Sequence, residues 1–176
     1  MSNPISSSPA LPIAYIVLRI LIVLNWLYGA GILAILIISM VNEPWFRVAF
    51  KLSSSPEADP VLMGFRAIGV LGFVAIPLHY AVLKRLLAIV ETVRAGDPFV
   101  AANARRLQVI AWVLFALNLF SIVIGMIVAS ISTKAYPVRL DSGFSVSGWL
   151  AVLLTFVLAR VFAEGSHMRE DLEGTV

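Results

Sequence analysis

Four long runs of apolar residues, each bounded by charged side chains, constrain the fold of this chain more than any other feature. A helix needs about 17–25 apolar residues to cross the hydrocarbon core of a bilayer. Backbone groups in lipid must bond within the segment, so each run is expected to be helical. The runs lie between Arg19 and Glu43, between Arg66 and Lys84, between Arg106 and Lys134, and between Asp141 and Arg160. The sequence therefore predicts four transmembrane helices, near residues 12–41, 61–94, 98–131 and 144–172.

Composition supports a membrane protein. Of the 176 residues, 60% are hydrophobic and 13% are charged, whereas an average soluble domain is about 25% charged. We therefore expect one all-α integral membrane domain spanning residues 1–176. The N-terminal stretch MSNPISSSPALP has no Lys or Arg, so we expect a retained first helix and not a cleaved signal peptide. The chain has no cysteine, which excludes disulfides and thiolate chemistry.

The second helix is expected to continue beyond the membrane. Apolar residues recur at helical spacing over residues 83–93, with charged residues among them, which is typical of an amphipathic helix in water. Gly96 suits the position after a helix end, Asp97 suits an N-cap, and Pro98 suits the first helical position. The sequence therefore predicts a tight turn and a cytoplasmic helical hairpin near residues 84–106.

Orientation follows from the distribution of positive charge, because an excess of Lys and Arg marks the cytoplasmic side. The predicted hairpin side has eight of these residues and the opposite side has five. We therefore place the hairpin and both termini in the cytoplasm. The eight are Arg19, Lys84, Arg85, Arg94, Arg105, Arg106, Arg160 and Arg169, and the five are Arg47, Lys51, Arg66, Lys134 and Arg139.

The two loops on the other side, residues 42–60 and 134–145, each contain a short stretch of alternating polarity. These stretches are RVAFKL and YPVRLDS, and such alternation is typical of short strands. The predicted fold is therefore a four-helix transmembrane bundle with a short extracytoplasmic β cap and a cytoplasmic helical hairpin.

The stretch GDPFVAANARRLQVIAW and the terminal REDLEGTV resemble a bacterial membrane family, domain of unknown function 2975. The resemblance implies a four-helix protein of the bacterial inner membrane. This chain has Ala101-Ala102 where the family pattern has Pro-Glu before the asparagine. Family members are commonly encoded beside a small helix-turn-helix regulator, so the resemblance also implies such a regulator as a cytoplasmic partner.

The candidate partner-binding residues lie in the turn, the third helix and the acidic tail. One interpretation is a docking surface for a protein. The other is a set of intramolecular ion pairs combined with anchoring to anionic lipid, worth about 1 kcal/mol for each basic residue. The candidates are Asp97, Pro98, Asn103, Arg105, Arg106, Arg169, Glu170, Asp171 and Glu173.

Other polar residues are expected to be structural. Arg19, Arg66 and Arg160 lie at the edges of apolar runs and are expected to extend to the interface. Asn25 and Asn118 are expected to bond across helices. The two histidines, His79 and His167, differ in predicted depth by roughly 18 Å, too far to share one haem iron. We find no catalytic set, no cofactor or metal site, and no surface for direct nucleic-acid binding.

From these features we expect the protein to be a non-enzymatic membrane sensor or regulator. It would sequester a helix-turn-helix transcription regulator at the bilayer. The alternative is a small transporter or channel subunit, which requires a homo-oligomer because four helices rarely enclose a pore. A membrane enzyme acting on lipid would need a polar catalytic cluster at one interface, and the sequence shows none.

Overall fold

A computed structural model describes residues 10–54, 58–133, 136–138 and 140–173, with the side chains of Glu170, Leu172 and Glu173 outside the description. The described chain forms five helices. Four of them are long and apolar enough to cross a membrane, so the chain is a multi-pass membrane protein. The helices are α1 (Ala10–Val41), α2 (Glu43–Ala49), α3 (Asp59–Arg94), α4 (Ala101–Ile131) and α5 (Val146–Glu173).

The long helices pack in the order of the chain. Helix α1 packs on α3, α3 on α4, and α4 on α5. Among the described residues, α1 and α5 make no extensive contact with each other. The four predicted transmembrane helices are therefore present, but they form an open row and not a closed four-helix ring.

Close approach between α1 and α3 depends on small residues. Gly29 lies under the side chain of Ile76, and Gly69 lies under Leu36. The Asn25 amide donates to the Ile76 carbonyl at 3.2 Å, which confirms the predicted bond across helices. The same prediction is wrong for Asn118, whose amide donates to Leu114 of its own helix at 2.9 Å.

The predicted β cap is wrong. Most of the stretch RVAFKL belongs to α2 or to the turn after it, and residues 136–138 form no strand, while residues 134, 135 and 139 lie outside the described chain. Helix α2 forms because Asn42 accepts a bond from the Trp45 N–H at 3.2 Å and Pro44 lies in the first turn. Phe46, only 2% exposed, then packs with Leu52 and Leu62 in a small core.

A charged network fastens α2 to α3. Glu43 pairs with Arg47 and with Arg66, each at 2.9 Å, and Arg47 also pairs with Asp59 at 2.5 Å. Arg66 additionally donates to the carbonyl of Ser39 at the end of α1. Hydrogen bonds from Arg47, the larger cause, and from Arg66 hold the pKa of Glu43 below its ordinary value of 4.5. Hydrogen bonds to Asp59, the larger cause, and to Glu43 raise the pKa of Arg47.

At the other end the helices continue past their apolar runs. Helix α3 has 36 residues, about 54 Å at 1.5 Å per residue, whereas the hydrocarbon core is roughly 30 Å thick. We call this end the platform: residues 10–19 of α1, 84–94 of α3, the turn 95–100, 101–107 of α4 and 161–173 of α5. An apolar cluster lies at its boundary with the membrane-spanning part, made of Leu107, Ile110 and Ala159, with Leu86 and Phe162 packed against them.

The predicted cytoplasmic helical hairpin near residues 84–106 is not a separate element of the fold. The end of α3 and the start of α4 are packed against α5, and the Arg94 guanidinium stacks over the Tyr15 ring of α1 with its carbon 4.9 Å from the ring centroid. Four helix ends therefore make one assembly. Its placement in the cytoplasm stays a prediction.

Candidate functional site

The turn after α3 is built around Gly96, which has a φ of +85°. The Gly96 N–H donates to the Val93 carbonyl at 3.1 Å, and the Asp97 N–H donates to the Thr92 carbonyl at 3.0 Å. This pair of bonds is the Schellman arrangement, which needs a left-handed residue after the helix end. The predicted role of Gly96 is therefore confirmed.

The predicted start of the next helix is wrong. Helix α4 begins at Ala101 after Val100, whose backbone is extended, and no side chain caps it. Asp97 is therefore not the N-cap, and its carboxylate instead pairs with Arg169 of α5. Pro98 is not the first helical residue, and its carbonyl instead accepts a bond from Asn103. The connection is therefore a six-residue segment, 95–100, and not a tight turn.

Asn103 holds this segment in place. Its side chain is fully buried, and its amide nitrogen donates to Thr92 Oγ1 at 2.7 Å and to the Pro98 carbonyl at 2.9 Å. Its Oδ1 accepts a bond from Arg106 at 2.7 Å. Because its nitrogen and its oxygen both have hydrogen-bond partners, this buried amide joins α3, the turn and α4.

The two adjacent arginines of α4 have different surroundings. Arg106 points towards α3, where it donates to Asn103 and to the Ala88 carbonyl at 3.3 Å. Arg105 is exposed on another face. Successive residues of a helix differ in direction by about 100°, so only Arg105 is presented to the surroundings.

The C-terminal part of α5 contacts the segment 95–100 that connects α3 and α4. Arg169 pairs with Asp97, and Phe99 packs on Phe162 with ring centroids 5.3 Å apart. Gly165 leaves the room for Phe99, since a Cβ at this position would lie 2.9 Å from the ring. An ion pair and an apolar contact therefore both join α5 to the turn.

The predicted contact between tail and hairpin exists with its charges reversed. We expected Arg105 and Arg106 to face the acids of the tail, whereas the described pair joins an acid of the turn, Asp97, to a base of the tail, Arg169. Asp171 is exposed on α5. The side chains of Glu170 and Glu173 lie outside the described residues.

A groove of about 370 Å³ lies between α4 and α5. Arg105 and Gln108 line it from α4, and Arg160 and His167 line it from α5. Arg160 also has the Glu164 carboxylate at 4.0 Å. The sequence prediction assigned Arg160 only to interface anchoring and did not include Gln108.

Several residues of the platform were not predicted. Thr92, Phe99 and Gly165 all contact the turn or its fastening to α5. Gly165 could have been identified from the sequence, because it is a glycine within a helical pattern and such a glycine often marks a close approach. In the described part of the chain, no group of three or more His, Asp or Glu side chains could hold a metal ion.

The family of unknown function designated DUF2975 matches residues 47–176. The match includes the end of α2, all of α3 to α5 and the whole turn, whereas α1 and the start of α2 precede it. No curated protein matches the chain. No solved structure matches it either. Because the family match covers well over half of the sequence, this chain is a member of the DUF2975 family.

Proposed function

We propose that the protein is a non-enzymatic membrane regulator that holds a cytoplasmic partner on its platform. The observation that carries the proposal is the assembly of this end: α3, α4 and α5 continue past their apolar runs and are bonded to one another. A loop would suffice to connect two transmembrane helices. A preassembled surface, in contrast, lowers the ordering cost of binding another protein.

The side of the membrane follows from charge. The platform and its borders contain eight of the 13 Lys and Arg residues of the chain, and an excess of these residues marks the cytoplasmic side. The proposal therefore places the platform and both termini in the cytoplasm of a bacterium, with α2 on the opposite side of the inner membrane.

We assign docking to a clasp surface made of Asp97, Phe99, Met168 and Arg169. Phe99 is 43% exposed and Met168 is 57% exposed, and each neighbours the Asp97–Arg169 pair in the chain. Aromatic residues, Met and Arg are enriched in protein interfaces. Asn103 and Arg106 instead support this surface from within, because their side chains are bonded inside the platform.

The family resemblance supplies the kind of partner, a small helix-turn-helix transcription regulator. The proposed mechanism is sequestration, since a regulator held at the membrane cannot reach DNA. A signal received at the α2 end or in the lipid-facing helices would release it. If the ion pair between Asp97 and Arg169 breaks when the partner binds, binding would change the position of the tail.

The test is affinity purification of the tagged chain from crosslinked native membranes, followed by mass spectrometry. Met168→Asp is the informative variant because Met168 is exposed, and Val48→Asp on α2, at 78% exposure, is the matched control. We expect a DNA-binding protein to be recovered with the wild type and with Val48→Asp, and to be lost with Met168→Asp. Recovery of only self-contacts or other membrane subunits would favour a small oligomeric transporter or channel subunit.

A further inference from the structure

The groove between α4 and α5 shares no lining residue with the clasp surface and has chemistry of its own. Two arginines, Arg105 and Arg160, line it from opposite helices, together with Gln108 and His167. We propose that this groove binds a phosphate-bearing anion, supplied by the headgroup of an anionic lipid.

The groove has a surplus of positive charge. Glu164 lies 4.0 Å from Arg160, at the limit of an ion pair, and both side chains are largely exposed. Among the described residues, no acidic group pairs with Arg105. Guanidinium groups offer paired N–H donors that match the oxygens of a phosphate. An anion between Arg105 and Arg160 would therefore receive charge-assisted bonds from both helices.

The depth of the groove fits a lipid headgroup. Arg105 comes just before the apolar run of α4, and Arg160 ends the apolar run of α5. Both side chains are thus expected at the boundary between hydrocarbon and water, where lipid phosphates lie. Basic pockets between transmembrane helices at this level are typical sites for anionic headgroups.

The shape of the groove favours a lipid over a free anion. Its floor is made of small side chains, among them the buried Ala104 and Ala159. Phe156 continues its wall one turn of α5 further into the membrane. A lipid held by its phosphate would extend an acyl chain past Phe156, whereas free phosphate would leave this apolar part of the groove unused.

The test is native mass spectrometry of the full chain in detergent, titrated with phosphatidylglycerol or phosphatidylcholine, with inorganic phosphate and a polyglutamate peptide as competitors. The groove variant combines Arg105→Gln with Arg160→Gln. The matched control combines Lys84→Gln with Arg94→Gln, which removes the same charge from α3. Thermal melting checks that both variants remain folded.

We expect phosphatidylglycerol to bind the wild type and the control in preference to phosphatidylcholine. In the groove variant we expect binding about 25-fold weaker, from two basic contacts of about fivefold each. Equal loss in both variants, or no preference for phosphatidylglycerol, would overturn the proposal. Displacement of the lipid by equimolar inorganic phosphate or by a polyglutamate peptide would also overturn it, by assigning the groove to a free anion or to an acidic protein segment.

The outcome is separable from that of the proposed function. The groove variant leaves Met168 and the Asp97–Arg169 pair in place, so capture of a cytoplasmic partner through the clasp surface is expected to continue when lipid binding is lost.

Discussion

Asn103 accepts a hydrogen bond from Arg106 at 2.7 Å, and both side chains also bond to α3, Asn103 to Thr92 and Arg106 to Ala88. This relationship separates the roles of two neighbouring arginines. Arg106 completes the internal bonding of the platform, while Arg105 remains on the surface. Reversing the charge of both at once would therefore disturb the fold together with any binding.

Replacement of Asn103 by Ala is expected to destabilise the platform. The change removes both donors to Thr92 and Pro98 and leaves Arg106 without its side-chain acceptor. We expect a loss of about 2–3 kcal/mol, typical of a buried polar network broken at one member, seen as a lower melting temperature in detergent. Ser130→Ala is the control, because Ser130 is exposed and bonds only within α4, and it should change stability by less than about 0.5 kcal/mol. Equal melting of both variants would contradict the structural role of Asn103.

Replacement of Gly64 by Ala tests the contact between α3 and α4. A Cβ at Gly64 would lie 2.5 Å from a side-chain atom of the buried Ile131. We expect a loss of about 1–3 kcal/mol through overpacking, and partial recovery when Ile131→Ala is added. Gly31→Ala is the control, because nothing lies within 4 Å of its Cβ position. In that variant the higher helix propensity of Ala should raise the melting temperature or leave it unchanged.

The network at Glu43 is expected to make stability depend on pH. The pKa of Glu43 is held below its ordinary value of 4.5 by Arg47 and Arg66. A carboxylate with a lowered pKa in the folded state stabilises the fold above the ordinary pKa, and this contribution is lost as pH falls through the folded-state value. The melting temperature of the wild type should therefore exceed that of Glu43→Gln at pH 7, and the gap should close below pH 4.5.

The control for this pH series is Glu91→Gln, since Glu91 is exposed on the platform. Its melting curve should follow that of the wild type across the same range. A gap between wild type and Glu43→Gln that stays constant down to pH 3 would show that the charge of Glu43 is not the stabilising feature.

The absence of cysteine makes the orientation directly measurable. We expect Val48→Cys, on the exposed surface of α2, to react with a membrane-impermeant maleimide on intact cells. Glu91→Cys, on the platform, should react only after lysis. The opposite labelling pattern would place the platform outside and exclude a cytoplasmic partner.

The long helices were predictable because lipid leaves the backbone few alternatives. An apolar run of sufficient length must bond internally, so the segments between charged residues define the helices. Their arrangement as a row was not predictable, since it depends on which faces meet. Contacts such as Gly64 with Ile131 involve residues far apart in sequence, and no periodicity within one helix identifies its partner.

The β cap was predicted from alternation over stretches of six and seven residues, patterns too short to separate a strand from a helix. The helix start signals were also present, because Asn42 is a good N-cap and Pro44 is tolerated in the first turn. These local bonds, together with the burial of Phe46, determined the outcome.

The candidate site was predictable as a region but not in its internal assignments. The turn, the arginines and the tail were all selected, and the structure brings Asp97 and Arg169 together. The direction of each side chain depends on the packing of α3, α4 and α5. That packing buries Asn103, directs Arg106 inward and leaves Arg105 in the groove.

The most direct test of the central claim is site-specific photo-crosslinking in native membranes, with a photoreactive amino acid at position 168 and, for comparison, at position 48. Both positions are exposed, at opposite ends of the molecule. The proposed function requires an adduct with a cytoplasmic DNA-binding protein from position 168 and none from position 48. Adducts at position 168 that contain only lipid, or only a second copy of this chain, would contradict it.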